Sequence, residues 1–193
     1  MALILASTSS IRAQMLDQAG VAYRIEAPRL DEQPIKQRHD GDAASLARRL
    51  AEAKAKSIVA APKDIVVGSD CVISVDGTRF SKPRDRAEAA EHLAAFSGRT
   101  MLLSSAVALV SDGKVEWSYA DTARLEVRSL SASFIDSYLD AEWPAVSYCV
   151  GVFRMEGRGV TLFNVVEGSH FTILGMPLLP LLGALRQRGI VPS

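Results

Sequence analysis

The chain lacks several things that would narrow its function at once. It has two cysteines in 193 residues, Cys71 and Cys149. That excludes a disulfide-built scaffold, and their apolar neighbours suggest a pair of buried thiols rather than a disulfide or a reactive site. Its three histidines, His39, His92 and His170, are far apart, and no HExxH or CxxC spacing occurs, so a zinc site is not expected. Charge of one sign is missing too. Lysine plus arginine is 22 and aspartate plus glutamate is 22, and aromatics are only 6%. Neither a phosphate-tracking surface nor a base-stacking platform follows, so no nucleic-acid partner is expected. No apolar run reaches the about 18 residues that a membrane helix needs, and no basic segment leads into a long apolar one at the start. A cytoplasmic protein with no membrane partner is the expectation. The glycine-rich phosphate loops GxxxxGK[ST] and GxGxxG are absent, as is the GxSxG nucleophile turn.

What is present is a core. At 48% hydrophobic residues the chain can fold as an ordered globular domain, and its length suits one domain, residues 1–193, built of two lobes. Leu3–Ala6 reads as a buried strand, followed by a helix from about Ser10 that stops at Gly20. Val21–Ala27 alternates like a strand, and the polar, proline-containing stretch 28–41 reads as loop. Asp42 can cap a helix to about Ala60 with Leu46, Leu50 and Ala53 inward. DIVVGSDCVISV, residues 64–75, is the clearest strand, and Asp76-Gly77 signals a hairpin. Asp85 can cap a helix to about Phe96. Two long strands, 101–110 and 115–127, meet at Asp112-Gly113. Ser131 caps a further helix, short strands are expected near 150–155 and 161–166, and a helix over 176–188 closes the chain. Strands and helices alternate, yet two hairpins interrupt them. The fold class is therefore α/β, a mixed twisted sheet flanked by helices, with loops near 28–41, 78–84 and 143–149 placed to form a central cleft.

The chemistry-bearing residues are scattered. In LILASTSSIRAQML a buried strand ends in hydroxyls and hands Arg12 to a helix start. Helix N-termini favour anions, Ser7 to Ser10 add donors, and a guanidinium can fork onto a phosphate. The plainer alternative is a serine cap with a solvated Arg12. Asp70 falls inside an apolar strand, where an unpaired charge is costly. Glu32 lies in the long loop, Lys54 on the helix after Asp42, and Lys82 beside Pro83. Cations at a helix start suit a polyphosphate, and Glu32 and Asp70 suit a divalent metal ion such as Mg2+ or the activation of a water.

In this order the motifs resemble the Maf-like nucleoside triphosphate pyrophosphatases, also called septum formation inhibitor proteins. LILASTSSIRAQML, Asp31-Glu32, LARRLAEAKAKSI, IVVGSDCVISVDG, SKPRDRAEAAEHLAAFSGRT and EGRGVTLFNVVEG with ILGMPLLPLL match across nearly the whole chain. The resemblance implies an inosine triphosphatase-like α/β fold, a cytoplasmic hydrolase and a homodimer. The reaction it implies cuts a nucleoside triphosphate between its α and β phosphates, releasing a monophosphate and pyrophosphate with a divalent metal. It implies Asp70 as proton acceptor, with Arg12, Glu32, Lys54 and Lys82 as phosphate and metal residues and Ser7 and Ser9 beside them.

Departures from the family pattern are informative. Ser10 replaces a proline, Ile11 an arginine or tryptophan, and Ser81 a glycine. Ser147-Tyr148-Cys149-Val150-Gly151 lacks the usual lysine. Cys71 matches neither the thymidine/uridine branch nor the 7-methyl-GTP branch, whereas Glu156 matches the 7-methyl-GTP branch. A carboxylate accepts both N–H groups of a guanine edge and can donate nothing to uracil. Glu156 therefore points to guanine, the plainer alternative being a solvated residue before a turn, while Ile11 and Cys71 leave the base open. A non-catalytic nucleotide-binding regulator of division is the alternative function.

Overall fold

In a computed structural model of the chain, which describes residues 2–192, seven strands form one mixed sheet flanked by helices. The strands are β1 (Leu3–Ala6), β2 (Arg24–Ile25), β3 (Ile65–Val75), β4 (Thr78–Phe80), β5 (Thr100–Ser111), β6 (Lys114–Val127) and β7 (Phe163–Glu167). Their order is β2-β1-β3-β5-β6-β7, and β4 pairs β3. The helices are α1 (Ser10–Gln18), α2 (Gln33–Arg38), α3 (Ala43–Lys56), α4 (Arg86–Phe96), α5 (Ala132–Glu142), α6 (His170–Ile173) and α7 (Leu178–Gln187). Among the described residues no helix is long and apolar enough to cross a membrane.

The chain divides into two compact units. The first holds residues 1–71, 104–121 and 169–193, and the second holds 72–103 and 122–168. In the first, β1 pairs in parallel with both β2 and β3, with Ala6 opposite Gly68. Parallel strands are covered on both faces, which is why LILA and IVV run apolar without alternation. One core cluster joins Leu3, Leu5, Ile65 and Val67 to Met15 and Leu16 of α1 and Leu181 and Leu185 of α7. On another side Ile4, Ala6 and Val66 pack with Ala55 and Ile58.

Gly68 sets how closely α3 approaches. A Cβ there would lie 2.0 Å from the Ala51 carbonyl oxygen and 2.9 Å from the Ala55 Cβ. Only glycine lets the backbone of α3 rest on β3 at this point. Asp42 fixes the start of α3, its side chain accepting from Ser45 N–H at 2.7 Å. Leu46 and Leu50 face inward as expected, with Ala51 and Ala55 rather than Ala53 completing the buried face.

In the second unit α4 packs against α5, and Phe80 meets Phe96 edge-on, ring centroids 4.7 Å apart. Asp85 and Ser131 cap these helices through Glu88 and Phe134 N–H. Both hairpins form where Asp-Gly pairs stand, with positive φ at Asp76, Gly77, Asp112 and Gly113.

Four expectations change. The stretch 28–41 contains α2, because Pro34 falls in a first helical turn, where its missing N–H costs nothing. The strand expected over 21–27 shrinks to Arg24–Ile25, since β1, its partner among the described residues, is four residues long and pairs with it at two positions. The strand expected near 150–155 is a turn, with Val152 at φ 56°, wound around a buried carboxylate described below. Finally α3 stops at Lys56, four residues early, where Ser57 forms its C-cap.

Candidate functional site

The parallel register sets the carboxyl end of β1 beside the interior of β3, Ala6 opposite Gly68, so the turn Ser7–Ser9 follows on beside Ser69 and Asp70. Ligands of α/β folds gather at such strand ends. Ser7 is buried, and its hydroxyl accepts from Ser9 N–H at 3.1 Å. Ser9 is the N-cap of α1 by position, but its side chain makes no capping bond. The hydroxyl run thus folds its own turn rather than capping the helix.

Arg12 is not solvated. Its Nε donates to the Gly175 carbonyl at 3.0 Å and its Nη1 to the Ser69 carbonyl at 2.9 Å. Ser69 Oγ donates to the same Gly175 carbonyl at 3.0 Å. Gly175 has φ 99°, and a Cβ there would stand 3.5 Å from Arg12 Nη2. The guanidinium therefore ties α1, β3 and the segment after α6 together. Of its five N–H donors, two are spent on these carbonyls.

Four charged side chains form a chain with alternating sign. Lys54 on α3 bonds Asp70 Oδ1 on β3, and its Nζ lies 2.8 Å from Glu32 Oε1. Glu32 Oε2 is 2.6 Å from Lys36 Nζ. The side chains of Lys54 and Asp70 are only 13% and 11% exposed, those of Glu32 and Lys36 29% and 34%. Burial pushes the Glu32 carboxyl up, but hydrogen bonds and charge from Lys36 and Lys54 outweigh it and hold the group at about 2. Sequence reasoning missed Lys36. The signal was the i, i+4 spacing from Glu32, hidden because the stretch read as loop. Asp31 is exposed and accepts from Gln33 N–H at 3.0 Å, an ordinary turn contact.

Two oxygen donors converging on one cation is the donor set by which a divalent metal is held through one or two carboxylates plus substrate phosphates. Glu32 and Asp70 fit such a metal, with the Lys54 ammonium now taking their charge. Among the described residues no group of three or more histidine, cysteine or carboxylate side chains could hold a metal alone.

Cys71 and Cys149, expected to be buried, are only half-buried and are not joined in a disulfide. Lys82 is exposed in the loop before α4, and Glu156 is exposed in a turn of the same second unit. That turn is built around Glu142, whose side chain is 7% exposed. Its Oε2 takes Arg154 Nη2 at 2.9 Å and its Oε1 takes Arg158 N–H at 3.3 Å. A Cβ on Gly159 would stand 2.4 Å from the Arg154 carbonyl oxygen, so the turn closes only with glycine. Burial pushes the Cys149 thiol up, Glu156 adds to this, and Arg154 and Lys82 oppose it. The structure thus gathers Ser7, Ser9, Arg12, Glu32, Lys54, Asp70 and Cys71 in the first unit, and Lys82 and Glu156 in the second.

The pattern of the Maf-like protein family matches residues 2–188. The chain belongs to the Maf-like family. Among its curated relatives, a nucleoside triphosphate pyrophosphatase of a Ruegeria species is 39% identical, covering 98% of this chain and 97% of its own. A 7-methyl-GTP pyrophosphatase of Rhizobium meliloti is 43% identical, with coverage of 99% and 98%. A nucleoside triphosphate pyrophosphatase of Nitrobacter hamburgensis is 44% identical, with coverage of 98% and 95%. Among solved structures, a nucleoside-triphosphatase / dITP/XTP pyrophosphatase of Mycobacterium abscessus overlaps with a TM-score of 0.40 at 20% identity. It covers 66% of this chain and 73% of its own, too loose a likeness to carry an argument. Membership in the Maf-like family accounts for the motif order along the sequence, from the hydroxyl run to the last helix.

Proposed function

We propose that this Maf-like chain is a nucleoside triphosphate pyrophosphatase that cleaves between the α and β phosphates, releasing a nucleoside monophosphate and pyrophosphate. The observation that carries it is the convergence of Lys54 on both Glu32 and Asp70. It lies where Arg12 is locked beside Ser69. Names borne by relatives about two-fifths identical over nearly their whole length support the same reading.

Asp70 accepts the proton of a water that attacks the α phosphorus, and the bond from that phosphorus to the α–β bridging oxygen breaks. Pyrophosphate leaves with the bonding electrons. Lys54 exchanges its carboxylate partners for phosphate oxygens and offsets the charge that develops on the leaving group. Ser7, Ser9 and the unspent donors of Arg12 hold phosphate oxygens, and Cys71, next to Asp70, adjoins the nucleotide. Glu32 and Asp70 are the residues that would hold a divalent metal, Mg2+ by the hardness of their oxygens. When bound, the ion supplies charge neutralisation on the phosphates. On the second unit Lys82 serves phosphate charge and Glu156 the base. A carboxylate there favours the N–H edge of a guanine, 7-methylguanine included. Residues 1–193 act as one domain in a cytoplasmic homodimer that uses neither nucleic acid nor membrane as partner.

The test is a product assay with Mg2+ and a panel of ordinary and modified triphosphates, 7-methyl-GTP included. Pyrophosphate with a monophosphate is the expected result. Release of phosphate alone overturns the reading. Tight triphosphate binding without turnover replaces it with a nucleotide-binding regulator of division.

A further inference from the structure

We propose that Lys36 is a further polyphosphate-binding residue, held by Glu32 so that it and Lys54 present two cations to one diphosphate unit. The inference rests on the pyrophosphatase reading for its ligand class and on four observations for its geometry. First, Lys36 and Lys54 bond the two different oxygens of one carboxylate, at 2.6 and 2.8 Å. The two ammoniums are therefore no more than about 8 Å apart, the span of one carboxylate and two hydrogen bonds. Second, an ammonium has three donors, and Lys36, about a third exposed, has one engaged by Glu32, leaving others to donate to a ligand.

Third, α2 buries none of its side chains completely, so the Lys36 ion pair does not serve a core. Its effect falls on Glu32, which it holds against Lys54. Fourth, the chain Lys36–Glu32–Lys54–Asp70 is neutral as a whole. If Lys54 turned to a phosphate alone, Glu32 would lose its partner together with Asp70. With Lys36 in place Glu32 stays paired, and the arriving anion meets two positive charges on neighbouring elements. An exposed ion pair at this spacing would ordinarily be a small helix-stabilising contact. Here it is continuous with a nearly buried Lys–Asp pair, and that continuity sets it apart.

The probe is inorganic pyrophosphate, titrated calorimetrically in a chelator against the full chain at several salt concentrations. Lys36→Gln is expected to weaken pyrophosphate about tenfold, as for one charge-assisted bond, and to flatten the salt dependence. Lys36→Arg is expected to restore both, and melting temperatures to stay together. A role confined to holding α2 would move the melting temperature and leave the salt dependence unchanged. Wild-type affinity and salt dependence in Lys36→Gln overturn the inference, as does absence of pyrophosphate binding by the wild type. Triphosphate turnover is read separately. An intact turnover with an indifferent Lys36 leaves the function standing and removes this residue. Lys36-dependent pyrophosphate binding without turnover keeps the residue and removes the function.

Discussion

The two units each hold a carboxylate with little exposure, and they use it in opposite ways. In the first, Asp70 meets a lysine that is itself shared with Glu32, so each charge has a mobile partner that a ligand can compete for. In the second, Glu142 is spent on an arginine and on a backbone N–H of the turn it organises. A backbone N–H cannot swing away to a ligand, whereas an ammonium on four methylenes can. Shared, flexible partners suit chemistry, and fixed, local partners suit architecture.

The sharpest way to break this contrast is Asp70→Asn. Turnover should fall by about 10²–10⁴-fold, the range for loss of a general base, with the melting temperature close to wild type. Near-normal turnover in steady-state assays would remove Asp70 from the chemistry. Gly68→Ala tests what brings Lys54 to Asp70. Because the added methyl would collide with the Ala51 carbonyl rather than a side chain, the loss should reach about 3 kcal/mol or more, read by denaturant unfolding, and turnover should fall with it.

Arg154→Ala leaves Glu142 buried without its cation. A loss of about 2–3 kcal/mol is expected, below the range for fully enclosed pairs because the Arg154 side chain is 36% exposed. Thermal melts should show it as a clear drop in melting temperature. Turnover lost without any change in stability would contradict the architectural role.

Acid tests the charge chain of the first unit more gently. Glu32 sits at about 2 against an ordinary 4.5. A depressed folded value means its stabilisation is whole above about pH 4.5 and is lost as the pH falls toward 2. Glu32→Gln should flatten that part of the stability profile, while an unchanged slope would show that Glu32 is not held by its lysines. The smallest expected effects are at helix starts. Asp42→Ala should cost about 1 kcal/mol, and Ser9→Ala only a few tenths, since only the first makes a side-chain cap. Equal losses in unfolding titrations would mean that Ser7 and Ser9 do more for α1 than their bonds suggest.

Legibility followed the range of the forces. Asp42, Asp85 and Ser131 were readable as caps because a cap acts within three residues. The two Asp-Gly hairpins were readable because positive φ is a local demand. Asp70 stood out because a charge inside IVVGSDCVISV needs a partner, but Lys54 as that partner depends on Gly68 admitting α3. Lys36 stayed hidden because Pro34 looked like a breaker. Arg12 was legible as a functional residue, not as a tie to two carbonyls, one of them 163 residues away.

By itself, then, the sequence determined the alternation of strands and helices, their caps and turns, and the residue types that a polyphosphate needs. These depend on spacing of a few residues and on the cost of placing polar groups among apolar ones. Only the tertiary structure decided which carboxylate meets which cation. The parallel register of β1 on β3 and the close seat of α3 at Gly68 bring Lys54, Glu32 and Asp70 together. Hydrogen bonds and ion pairs act over a few ångströms, and sequence separation says nothing of such distances until the chain has folded.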